Sequence, residues 1–152
     1  MEITQSLSLP RDTSTVPLVR HLCKFALWQI GVTAACSADI EVAITEACAN
    51  VVEHTSGSDE YVVHITVSET TCEIRVVDTG HGFDAASLRG LTAADDAERG
   101  RGLTLMHSLV DSIAFDSVPE AGTIVHLVKN LTYDGDPPPP FTYRQVKLPG
   151  RS

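Results

Sequence analysis

The chain has 152 residues, of which 43% are hydrophobic and 20% charged, a globular composition that excludes a disordered segment. Eleven Lys and Arg against twenty Asp and Glu give a formal charge of −9, which disfavours direct binding to nucleic acid. No apolar run approaches the ~20 residues of a membrane-spanning helix, so no membrane association is expected. Met1-Glu2-Ile3-Thr4 carries no basic patch and no following apolar stretch, so no secretory signal is expected and the cytoplasm is the expected compartment. Cys23, Cys36, Cys48 and Cys72 lack C-x-x-C spacing and read as small buried hydrophobes. The six histidines contain no H-E-x-x-H pair, which sets aside a His/Cys metal site.

Ile3, Leu7 and Leu9 predict a half-buried strand over 3–9, stopped by Pro10. Ser14 or Thr15 is expected to cap a first helix, with Pro17 in its first turn and Gly31 as its stop. That helix has one stripe of Leu18, Leu22 and Phe25 and an adjacent one of Val19, Cys23, Ala26 and Ile30. A second helix over 38–54 presents Ile40, Ile44, Ala47 and Val51 as its core face. Tyr61, Val63, Ile65 and Val67, then Cys72, Ile74 and Val76, alternate with polar residues and predict a hairpin turning at Glu69-Thr70-Thr71. Residues 84–99 have no clear period, and a loop of that length is often functional. A helix after Gly102 carries Leu103, Met106 and Val110, and Ile113 and Phe115 open a strand. Pro119-Glu120-Ala121-Gly122 turns the chain into a last strand with Thr123, Val125 and Leu127. After Leu131 the core pattern stops, which divides the chain into a domain over 1–134 and a proline-rich tail over 135–152. Short turns between consecutive strands predict a largely antiparallel sheet in a two-layer α+β sandwich.

Three segments carry candidate chemistry. Glu46 and Asn50 lie ~40° apart on one face of the second helix, about 110° from its core stripe. A carboxylate and a carboxamide one turn apart can address a hydrated Mg²⁺ and a nucleophile, although an isolated pair of this kind is most often a solvated face. Glu53 and His54 extend that polar side by a turn. Asp78 ends an apolar strand in Asp78-Thr79-Gly80-His81-Gly82, where a carboxylate must find a donor such as the exocyclic amine of a purine. Gly100-Arg101-Gly102-Leu103 opens a helix, and backbone N–H groups at a helix start favour phosphate.

Each segment alone has a plain structural reading, but their order is specific. The sequence resembles the ATP-binding domain of the gyrase, chaperone, histidine-kinase and mismatch-repair superfamily. Glu46, Asn50 and His54 resemble its N box, Asp78, Gly80 and Gly82 its first glycine box, and Gly100 and Gly102 its second. Within that superfamily the chain is most similar to the bacterial anti-sigma-factor serine/threonine kinases, on Leu103-Thr104-Leu105-Met106, Leu109, Asp111 and Pro119-Glu120-Ala121-Gly122-Thr123. The resemblance covers roughly residues 3 to 131.

The resemblance implies a mixed sheet with helices on one face and ATP held between helices and lid. It implies that Asn50 coordinates Mg²⁺ and that Glu46 is the general base for a protein hydroxyl. Asp78 would accept from the adenine amino group, with Gly80, Gly82 and Thr123 lining the base pocket. Gly100, Arg101, Gly102 and Leu103 would meet the phosphates, and Arg20 would face a partner protein. The implied activity is that of an anti-sigma factor and protein kinase, with a sigma factor and an antagonist protein as partners and a homodimer as the assembly. An ATP-dependent interaction module without kinase activity is the alternative. A detached histidine-kinase domain would need a dimerisation helix pair for which 152 residues leave no room.

Overall fold

The computed structural model describes residues 2–54, 59–78, 105–118 and 122–135. Five strands form one sheet: β1 (Glu2–Pro10), β2 (Glu60–Ser68), β3 (Thr71–Asp78), β4 (Ser112–Val118) and β5 (Gly122–Asn130), in the order β1-β2-β3-β5-β4. Every pairing among them is antiparallel. Two helices, α1 (Val16–Gln29) and α2 (Ala34–His54), pack on each other, and α2 packs on β3 and β5. The expected α+β architecture is therefore the one observed. Its core lies between helices and sheet, where Leu27, Ile40, Ile44, Val63 and Val76 are all buried. Burying each such side chain contributes about 1.5–3 kcal/mol.

The hairpin forms where the alternation places it. Ser68 Oγ accepts from the N–H groups of Thr70, at 3.3 Å, and of Thr71, at 3.1 Å, which fixes the turn. The core face expected for α2 is confirmed, since Ile40, Ile44, Ala47 and Val51 are all buried. Yet α2 begins at Ala34 rather than near residue 38, because Thr33 Oγ1 accepts from the Cys36 N–H at 3.2 Å and caps the helix earlier.

Thr15 is the N-cap of α1, as expected, but its side chain makes no capping hydrogen bond, for a definite reason. Thr15 directs its hydroxyl to the Tyr61 phenol, at 2.7 Å, and to the Asp12 carbonyl, at 2.7 Å. Asp12 instead accepts from the Ser14 N–H at 3.0 Å and caps a 3₁₀ turn over Thr13–Thr15. Gly31 ends α1 as expected: its φ of 82° lets the Val32 N–H reach the Leu27 carbonyl and its own N–H reach that of Trp28, each at 3.1 Å. Of the two stripes on α1, Val19, Cys23 and Ile30 are buried, whereas Leu18 is 48% and Phe25 61% exposed.

All four cysteines are free and buried. Burial pushes the Cys48 thiol up, and a hydrogen bond from Cys23 together with burial does the same for Cys72. All four are small buried core side chains, as the sequence suggests.

Residues after β5 stay attached to the fold. Thr33 N–H donates to the Thr132 carbonyl at 2.8 Å, Asp134 N–H to the Gly31 carbonyl at 3.0 Å, and Tyr133 Oη to the Glu69 carbonyl at 2.9 Å. Tyr133 also packs against the core. We propose that the folded unit ends here. Truncation after Asp134 is expected to leave the melting temperature and ATP affinity unchanged, whereas truncation after Asn130 should lower the melting temperature by several degrees. Differential scanning calorimetry of the two shortened chains checks this.

Candidate nucleotide site

The end of β3 defines one side of the site. Strand alternation puts Asp78 on the same face as Cys72, Ile74 and Val76, under the helices, and Asp78 is fully buried. A carboxylate in such a place requires a compensating charge. Arg11 supplies it from the other side of β2, with its Nη2 at 2.7 Å from Asp78 Oδ2. Strand register sets the neighbours. Tyr61 on β2 stands opposite Asp78, and Thr123 on β5 stands opposite it on the other side. Sheet order thus brings the two sequence-predicted residues Asp78 and Thr123 together across 45 positions of chain. Burial raises the Tyr61 phenol above its ordinary range, so it remains a neutral hydroxyl in its bond to Thr15.

The other side is α2, which packs directly on β3 and β5. Asn50 is buried, at 6% exposure, deeper than its angle from the core stripe suggests. Glu46, one turn earlier, is half-buried. It lines an open cavity of about 400 Å³ together with Arg20 from α1 and Ala38, Glu41, Val42 and Thr45 from α2. Arg20 and Glu46, taken from unrelated positions in the sequence, therefore share one groove. Lys24 approaches Glu41 at 3.8 Å, and the Ser37 hydroxyl donates to the same carboxylate at 3.4 Å, so the groove carries both signs of charge.

Gly80, Gly82, Gly100, Arg101, Gly102 and Leu103 lie outside the described residues, as does the side chain of His54. The helical stretch at 105–109 follows them, with Met106 buried against the core. Arg11 is the residue that sequence reasoning missed. It belongs to no motif, and its position after Pro10 becomes informative only once β1, β2 and β3 are known to lie side by side.

This arrangement can do two things. A buried acceptor at a strand end can read a donor on a flat ring, and a half-buried carboxylate in an open groove of mixed charge can take a proton from an incoming hydroxyl.

Known proteins share this sequence pattern and fold. Residues 9–129 match the family model of the histidine kinase-like ATPase domain. The chain is 31% identical over 101 residues to the anti-sigma F factor of Bacillus licheniformis, covering 62% of this chain and 69% of that protein. It is 28% identical over 136 residues to the serine-protein kinase RsbW of Bacillus velezensis, covering 82% and 84% respectively. The crystal structure of the RsbU and RsbW domains of Rv1364c from Mycobacterium tuberculosis superposes with a TM-score of 0.66 at 22% identity, over 85% of this chain and 32% of that longer one, a likeness of fold. The chain belongs to the histidine kinase-like ATPase domain family, on the branch of the anti-sigma-factor kinases, and is an ATP-binding domain.

Proposed function

We propose that this chain is an anti-sigma factor and serine/threonine kinase that holds a sigma factor and phosphorylates an antagonist protein from Mg-ATP. The observation that carries the reading is Glu46 in the wall of the α1–α2 groove, one helical turn from buried Asn50 and facing the same opening as Arg20. The names of the relatives, anti-sigma F factor and serine-protein kinase, support it.

Each residue has a distinct task. Asp78 accepts a hydrogen bond from the adenine amino group, and Thr123 lines the base pocket beside it with Gly80 and Gly82. Gly100, Arg101, Gly102 and Leu103 meet the phosphates. Asn50 contributes one carboxamide oxygen to Mg²⁺. Among the described residues no group of three His, Cys, Asp or Glu could cage a metal. A single protein oxygen still suits Mg²⁺, which takes few protein ligands and completes its shell with phosphate and water. The bound ion would neutralise phosphate charge. Glu46 receives the proton of the incoming Ser or Thr hydroxyl as its oxygen bonds to the γ-phosphorus and ADP leaves. Arg20 orients the partner in the groove. The reading places the chain in the cytoplasm as a homodimer, where its partners act.

Capture from the native cell extract tests the partner assignment. The immobilised chain is expected to retain a sigma factor and a small antagonist protein, with the amounts of each changing when Mg-ATP is added. Retention of neither, or of both regardless of nucleotide, contradicts it.

A further inference from the structure

Arg11 lies outside every sequence motif of the site, yet its guanidinium ends on the one carboxylate assigned to the base. Asp78 is fully buried, and the Arg11 side chain is 13% exposed. To reach Asp78, Arg11 must cross β2, because β1 and β3 are each β2's neighbours and lie roughly 10 Å apart. Its backbone is pinned at the start of that path, with its N–H donating to the Asp59 carbonyl at 2.7 Å. Tyr61, the β2 residue opposite Asp78, is itself tied to Thr15 at the start of α1, at 2.7 Å. The guanidinium therefore reaches the carboxylate from a fixed base.

We propose that Arg11 is a positioning residue for base selection: its guanidinium fixes the orientation of the Asp78 carboxylate, so that the site prefers a purine bearing an exocyclic amine over a 6-oxopurine. The inference rests on the reading that Asp78 faces the adenine amino group. A charged carboxylate only accepts, so it rewards the amine of adenine and repels the carbonyl oxygen that a 6-oxopurine places at the same point. Without the guanidinium at 2.7 Å, the Asp78 side chain loses the contact that fixes its direction. The hydrogen bond that only an amine-bearing base can give it is then weakened, and the distinction between the two bases falls. Arg11 does not touch the nucleotide in this scheme; it acts through Asp78.

The test compares the affinities of the full chain for ATP and for inosine triphosphate, which differs by carrying the 6-oxo group, by titration calorimetry in the presence of Mg²⁺. Wild type is expected to prefer ATP. Arg11→Met keeps the bulk and removes the charge, and should reduce the ATP-over-inosine ratio by about ten-fold while inosine triphosphate binding holds within about two-fold. Arg11→Lys keeps a cation and should retain most of the ratio. If Arg11→Met does not fold, Arg11→Gln is read by the same ratio. An unchanged ratio in the neutral variant overturns the inference, and so does an equal loss for both nucleotides, the signature of a merely structural role. A wild type that binds both nucleotides equally overturns the adenine reading of Asp78 itself, a failure visible before any variant is made.

Discussion

Glu46→Gln is expected to leave ATP binding and partner capture intact while lowering phosphate transfer to the antagonist by about 10²–10⁴-fold, the contribution of a positioned general base. The substitution keeps the length and hydrogen-bonding capacity of the side chain and removes its ability to take a proton. Glu46 is half-buried on α2, outside the fully buried core face of Ile40, Ile44, Ala47 and Val51, so the change does not disturb packing. Transfer measured under single-turnover conditions isolates the chemical step from partner release. Equal transfer by variant and wild type would show that another group takes the proton.

Asp78→Asn should act on both stability and binding. The amide presents one acceptor oxygen and no charge, so the hydrogen bond to the adenine amine loses its ionic part. Hydrogen bonds to charged groups are worth about 1.5–3 kcal/mol, which corresponds to roughly a ten- to hundred-fold loss of ATP affinity. The structure adds a second consequence that the motif alone does not contain. The variant leaves the Arg11 guanidinium facing a neutral group in a buried position, 2.7 Å from where the carboxylate oxygen stood. Breaking a buried ion pair from one side costs about 3–5 kcal/mol. The melting temperature should therefore fall as well, and ATP affinity must be measured at a temperature where the variant remains folded. Unchanged ATP affinity in a folded Asp78→Asn chain would contradict the adenine assignment.

The elements that could be read from sequence are those whose signal is local. The face of α2 follows from the spacing of Ile40, Ile44, Ala47 and Val51, and the β2–β3 hairpin from strict alternation about a polar turn. The face of α1 was ambiguous for a physical reason. Its two stripes are similarly apolar, and only the position of the sheet decides that Val19 and Cys23 are buried while Leu18 and Phe25 remain exposed. The motifs of the proposed site occur in a specific order in the sequence, and strand register places two of their residues, Asp78 and Thr123, opposite each other. Arg11 was not legible, since its partner lies 67 residues away and two strands across. The same holds for the groove shared by Arg20 and Glu46, which exists only because α1 and α2 pack side by side. Non-local pairings carry no periodic trace in the chain that makes them.

Kinase activity is tested most directly by incubating the wild-type chain with Mg²⁺, ATP labelled on the γ-phosphate and the antagonist protein recovered by capture. Label is expected on a Ser or Thr of the antagonist, dependent on Mg²⁺. Absence of transfer, with ATP bound and the partner engaged, would contradict the kinase function and leave a nucleotide-dependent interaction module in its place.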